Sequence, residues 1–125
     1  MPGMKDYDDN IIDPEKVKKI KNLLDEREKR RKDGATAIVI DADIDKFGKH
    51  MPPDIVTEKN RDRDSWILTV LVDGMETAPI VMMISKKPNS NQHKFEETYG
   101  PIDETIIGKK INVWWSNTYW KPKFK

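Results

Sequence analysis

Residues 66–85 read WILTVLVDGMETAPIVMMIS, two apolar runs separated by the pair Asp73-Gly74. Asp-Gly readily supplies the positive φ angles that a tight turn between antiparallel strands requires. The runs WILTVLV and APIVMMIS on either side are long enough to be strands. The segment therefore predicts a β-hairpin, and we work outward from it.

Upstream of the hairpin, the sequence predicts a helix and then a long strand. Asp13-Pro14-Glu15 is a helix-start signal, and Gly34 is a stop signal, which predicts a helix over residues 14–33. The next stretch, ATAIVIDADIDKF, alternates with a period of two. This alternation predicts a half-exposed strand with one inward aliphatic face and one outward, largely acidic face. The inward residues are expected to be Ile38, Ile40, Ala42 and Ile44, and the outward ones Val39, Asp41, Asp43 and Asp45.

Residues 48–65 contain a Pro pair and many charges, and they predict a long loop that is either functional or mobile. A short helix is expected around residues 93–99, ended by Gly100-Pro101. In the last segment, Ile111, Val113 and Trp115 fall on one face of a strand and Trp114 on the other. A turn at residues 116–117 would divide this segment into two short strands.

This order of elements predicts a mainly β protein: a small antiparallel β-barrel of about five strands with an N-terminal α-helix. We expect an acidic, disordered tail over residues 1–13, a basic helix over 14–33 and a barrel domain over 35–125. The layout of residues 35–124 resembles the OB-fold modules that bind single-stranded nucleic acid. That resemblance implies a five-stranded barrel with an oligonucleotide-binding face.

The composition limits the protein to one small domain. The chain has 125 residues, of which 36% are charged, with 23 basic and 22 acidic side chains, a net charge of +1 and no cysteine. It has room for a single core and no disulfide framework. No signal peptide or membrane span is recognisable, so we expect a cytoplasmic protein.

The near-neutral total conceals two basic blocks, because residues 14–33 carry a net charge of +4 and residues 109–125 a net charge of +5. The second block also holds five of the ten aromatic residues. Aromatic faces stack on bases of any identity and lysines neutralise phosphates, so this block predicts binding of single-stranded DNA or RNA with low sequence specificity. The expected stacking residues are Trp66, Trp114, Trp115, Tyr119 and Trp120. The expected phosphate contacts are Lys109, Lys110, Lys121, Lys123, Lys125, Arg61 and Arg63.

Two other functions stay open. The C-terminal aromatic residues would also suit a protein-interaction or assembly surface, with a homo-oligomer or a protein as partner. The run IVIDADIDKF, with Asp41, Asp43 and Asp45, resembles the first metal-binding strand of palm-type nucleotidyl cyclases and polymerases. That resemblance implies that Asp41 or Asp43, together with Asp45, holds Mg²⁺ for phosphoryl transfer. The second acidic element of that family is missing, and His50 and His93 lack a catalytic motif. We therefore expect a non-enzymatic protein without a metal or cofactor.

Overall fold

The structure is a computed structural model, and it describes residues 13–124. In this part of the chain the α-helices and strands, in order, are α1 (Pro14–Asp33), β1 (Ala35–Lys46), β2 (Asp64–Val72), β3 (Glu76–Met83), α2 (Asn91–Tyr99), β4 (Lys110–Trp115) and β5 (Trp120–Pro122). The mainly β class and the N-terminal helix are confirmed. The predicted acidic tail lies outside the described residues, apart from Asp13.

The strands form one antiparallel sheet in the order β3-β2-β1-β4-β5. Strands β3 and β5 are its two edges, so the sheet is not closed by hydrogen bonds. The edges nevertheless approach each other, with Cα atoms of β3 and β5 closer than 8 Å. The sheet is therefore strongly curved. Within residues 13–124, no helix has the length and apolar character needed to cross a membrane.

The β2–β3 hairpin forms as predicted. Asp73 and Gly74 have φ angles of 50° and 69°, and the Met75 N–H donates to the Val72 carbonyl at 2.9 Å. The later elements also match: α2 ends at Gly100, and residues 116–119 separate β4 from β5. On β4, Ile111 and Val113 are buried, as expected.

Strand β1 is present, but the predicted assignment of its faces is wrong. Ala37 and Val39 are buried, whereas Ile38 and Ile40 are 39% and 46% exposed. The pairing with β2 shifts register between Val39 and Asp41, which is a β-bulge with Ile40 as the extra residue. The bulge reverses the alternation partway along the strand, so only Ala42 of the predicted inward set packs against the core.

The core fills the concave side of the sheet. Phe95 from α2 is fully buried there, together with Leu68, Val70, Ile106 and Val113. The Ser90 side chain caps α2 by accepting a hydrogen bond from the His93 N–H at 3.2 Å. Helix α2 lies between β3 and β4 in the chain, and it packs on the core through Phe95.

The long β1–β2 loop is ordered. The Phe47 N–H donates to the Arg63 carbonyl and the Gly48 N–H to the Arg61 carbonyl, both at 2.9 Å, which extends the β1–β2 pairing into the loop. A Cβ atom at Gly48 would lie 2.8 Å from the Arg61 Cγ, so a side chain there has no room. The loop is therefore folded back on the sheet at its base, and its functional role stays a prediction.

The base of this loop is held by Asp45. Its carboxylate lies 2.9 Å from the His50 Nε2 and 3.5 Å from the Lys49 Nζ, and it accepts a hydrogen bond from the Lys46 N–H at 2.8 Å. The hydrogen bond with His50, followed by that from Lys46, lowers the pKa of Asp45 to about 2.

Helix α1 is attached to the sheet only near its C-terminal end, and none of its residues is buried. The Arg31 guanidinium lies 3.9 Å from the centre of the Trp115 ring. Arg30 lies 3.7 Å from Asp73, and Arg27 lies 3.8 Å from Glu76. The Arg30 side chain is only 13% exposed, so its pair with Asp73 and the stacking of Arg31 on Trp115 both attach this end of the helix. Burial, followed by repulsion from Arg27, lowers the pKa of Arg31.

We predict that the carboxyl group of Asp45 titrates near pH 2 in the folded protein. A lowered pKa means that its contribution to stability is complete above the unfolded-state value of about 4 and is lost as the pH falls toward 2. The measurement is an NMR titration of the side-chain carboxyl carbons. His50→Gln should raise the Asp45 midpoint, and His93→Gln, which removes a histidine paired with Glu97, should not. An unchanged midpoint in His50→Gln would contradict the assignment.

We also predict that Arg31→Ala releases α1 without unfolding the sheet. The loss of a cation–π contact of about 0.5–2 kcal/mol should speed hydrogen exchange of the α1 amides, while the amides of β2 stay protected. Lys29→Ala removes a cation from the same helix end that does not stack on an aromatic ring, and it serves as the control. Equal exchange in the two variants would show that the stacking does not hold the helix.

Candidate nucleic-acid interface

A groove of about 950 Å³ lies where β3 and β5 approach each other. Its walls come from the end of β3, from β5 and the residues on either side of it, from the β1–β2 loop and from the junction of α1 with β1. Twelve of the residues that line it are called the groove residues: Lys32, Asp33, Phe47, Met51, Arg63, Met83, Trp114, Tyr119, Trp120, Lys121, Lys123 and Phe124.

Trp114 and Tyr119 form an aromatic surface around Lys121. Trp114 points away from the core, as the alternation on β4 predicts, and is 39% exposed. It pairs with Lys121 across the β4–β5 ladder, and the Lys121 Nζ lies 5.4 Å from the Trp114 ring centre and 5.2 Å from that of Tyr119. The turn at residues 116–119 sets this arrangement, because the Ser116 N–H and hydroxyl both donate to the Tyr119 carbonyl at 2.9 Å.

The structure places the other three predicted stacking residues against the core. Trp120 is 4% exposed and packs edge-to-face on Trp115, with ring centres 5.3 Å apart. The other face of Trp115 is covered by Arg31. Trp66 is partly buried on β2, opposite Met82 and Ile44. Of these three residues only Trp120 also lines the groove.

The charge of the groove is positive. Lys32, Arg63, Lys121 and Lys123 line it, and Asp33 is the one acidic residue among its lining in the part of the chain described. Lys123 is held in place by its backbone, because its N–H donates to the Asn112 carbonyl at 2.7 Å and its own carbonyl accepts from the Tyr99 hydroxyl at 2.6 Å. A chain with a net charge of +1 thus concentrates four cations at one site.

Three of the remaining predicted cations, Lys109, Lys110 and Arg61, lie outside the groove lining. The Lys109 Nζ donates to the Tyr99 carbonyl at 2.6 Å, at the C-terminal end of α2. Lys110 pairs with Ile38 on the exposed face of the sheet, and Arg61 packs alongside Gly48. Lys125 lies outside the described residues.

Six groove residues are not among the predicted site residues: Lys32, Asp33, Phe47, Met51, Met83 and Phe124. Phe47 and Met51 belong to the β1–β2 loop, which meets the end of β3 only because the loop folds back. Lys32 comes from the end of α1. Phe47 is positioned by the hydrogen bond from its N–H to the Arg63 carbonyl. This long-range pairing has no sequence signal, so Phe47 could not be predicted as a groove residue.

The three aspartates of β1 do not converge on a common point. Asp41, Asp43 and Asp45 each accept a hydrogen bond from the backbone N–H of the following residue, at 2.8–2.9 Å. Beyond Val39, β1 pairs with β2 alone, so these carboxylates cap alternate amides along a free strand edge. Charged groups on an edge of this kind discourage pairing with other chains. Among residues 13–124, no group of three or more acidic or histidine side chains is arranged to hold a metal ion.

The chain was also compared with known proteins. No family model matches it, and neither does any curated protein or solved structure.

Proposed function

We propose that this protein binds single-stranded nucleic acid in the groove, with low sequence specificity and without catalysis. The observation that carries the proposal is the combination of Trp114 and Tyr119 around Lys121 with three further cations, Lys32, Arg63 and Lys123, in one groove. Bases would stack on the two aromatic rings. The cations would neutralise the phosphates on either side.

The connectivity of the sheet supports the proposal. Three consecutive antiparallel strands, a helix between β3 and β4, and a β4 that returns to pair with β1 make up the order of elements found in OB-folds. We propose that the curved sheet is a partly open barrel of this type. OB-folds bind oligonucleotides on the β2–β3 face, between the β1–β2 and β4–β5 loops. The groove lies between the same two loops, with Met51 and Arg63 on one side and Tyr119 on the other.

Low specificity follows from the chemistry of the groove. Every base has a π-face, so stacking does not depend on base identity. Lysine is a flexible point charge that binds phosphate without reading sequence. The four cations would contact a few successive phosphates, which suits a short stretch of one strand.

We predict salt-sensitive binding to single strands. A fluorescein-labelled dT or U oligomer should show increased anisotropy at low salt and should quench tryptophan fluorescence. With four phosphates neutralised, the slope of log K against log salt should be about −3, since single strands give about −0.7 per phosphate. Duplex DNA of the same length should bind less well, because its bases are not free to stack. Absence of binding to any single strand at low salt would refute the proposal.

We also predict that Trp114→Ala and Lys121→Glu each weaken binding while the protein stays folded. The loss of one stacked base, about 1–3 kcal/mol, corresponds to roughly 5- to 150-fold in affinity. Neither side chain belongs to the core, so the far-UV circular dichroism, which reports the backbone, should be unchanged. Lys59→Glu, the same charge change on an exposed loop residue outside the groove, is the control. If all three variants bind equally well, nucleic acid does not bind in the groove.

A further inference from the structure

The N-terminal half of α1 carries an apolar stripe that nothing in the described part of the chain covers. Val17, Ile20, Leu23 and Leu24, called the arm stripe, are 47–54% exposed. The helix has 20 residues, about 30 Å in length, and its contacts with the sheet involve Arg27, Arg30 and Arg31 near the other end. The stripe therefore stands on an arm that projects from the domain.

A second apolar surface lies on the outer face of β1. Ile38, Ile40 and Ile107, called the β1 patch, are 39%, 46% and 46% exposed. The Gly108 N–H donates to the Val39 carbonyl at 2.6 Å, which places Ile107 next to the bulge at Ile40. The arm stripe and the β1 patch together contain seven of the ten large hydrophobic side chains exposed in residues 13–124.

The charges around these two surfaces are complementary. Residues 14–24 carry four lysines and one glutamate, so the arm stripe has a basic border. Exposed carboxylates flank the β1 patch in the chain, with Asp41 and Asp43 after Ile40 and with Asp103 and Glu104 before Ile107. Lys109 and Lys110 lie on its β4 side. A lysine-bordered apolar helix thus matches an acid-bordered apolar strand face.

We propose that the arm stripe docks on the β1 patch of a second copy of this chain. The arginine contacts hold the arm against β4 and the β2–β3 turn of its own domain, which leaves both surfaces free for another copy. In a two-fold dimer each arm reaches the other domain, so the contact forms twice. Forming the contact twice doubles the apolar area that the dimer buries, and stable interfaces typically bury about 1,200–2,000 Å². This inference is independent of the proposed function, because the groove is a separate surface.

The first test measures oligomeric state by analytical ultracentrifugation without nucleic acid. The wild-type chain should be a dimer in the micromolar range. Ile20→Glu with Leu24→Glu (the arm variant) and Ile40→Lys with Asp43→Lys (the patch variant) should each raise the dimer dissociation constant roughly tenfold or more. The changed residues are exposed, so both variants should keep the circular dichroism of the sheet. A wild-type chain that is monomeric at 100 µM or so, well above the range of specific dimers, would overturn the proposal.

The second test mixes the two variants. The arm variant keeps an intact β1 patch and the patch variant keeps an intact arm, so one native contact forms between them. The other contact joins an acidic arm to a basic patch. The mixture should therefore dimerise where each variant alone does not. Failure of the mixture to dimerise would contradict arm-to-patch docking.

The third test uses the absence of cysteine from the chain. Leu24→Cys in one copy and Ile40→Cys in another should be joined by a short bis-maleimide. Crosslinking between two Leu24→Cys copies alone would indicate arm-to-arm pairing and would overturn the proposal. Trp114→Ala, which alters the groove, should leave the dimer intact. A dimer that binds no oligonucleotide would contradict only the proposed function. A monomer that binds oligonucleotide would contradict only the proposed dimer.

Discussion

The fold depends on how β1 divides its backbone hydrogen bonds. Its first residues pair with β2 on one side and β4 on the other, but from Asp41 onward only β2 remains. The bulge at Ile40 marks the point where β1 leaves β4. The last hydrogen bonds on the β4 side join Val39 to Gly108 and Lys109. Because β1 departs there, β4 and β5 curve toward β3. The groove lies where those edges approach each other, so its position follows from the bulge.

The separation of β1 from β4 after Val39 also explains the acidic edge and the apolar patch of β1, two surfaces that the amino-acid composition does not predict. Edge amides need partners, and the aspartates at alternate positions of β1 provide them from the strand itself. Ile38 faces outward by alternation with the buried Ala37 and Val39, and Ile40 is the exposed extra residue of the bulge, so an apolar patch lies beside an acidic edge. The proposed nucleic-acid groove and the proposed self-association patch thus lie on different surfaces of the protein.

Local signals in the sequence were sufficient where one residue type determines a conformation. Asp73-Gly74 fixed the hairpin turn, Gly34 and Gly100 ended the helices, and the alternation on β4 identified Trp114 as the outward tryptophan. The faces of β1 were assigned wrongly because a bulge inserts a residue without a sequence signature. The contributions of Phe47 and Met51 to the groove were missed because a loop reaches its position through long-range pairing.

Helix α1 shows how attachment and burial can be separated. A helix on a small domain ordinarily buries its apolar stripe against its own core. Here the cation–π contact of Arg31 with Trp115 and the nearby ion pairs hold the helix, and the stripe stays outside. Trp115 also packs on Trp120, which lines the groove. The C-terminal end of the helix is thus joined to the wall of the groove through Trp115 and Trp120, while the apolar stripe at its other end stays exposed.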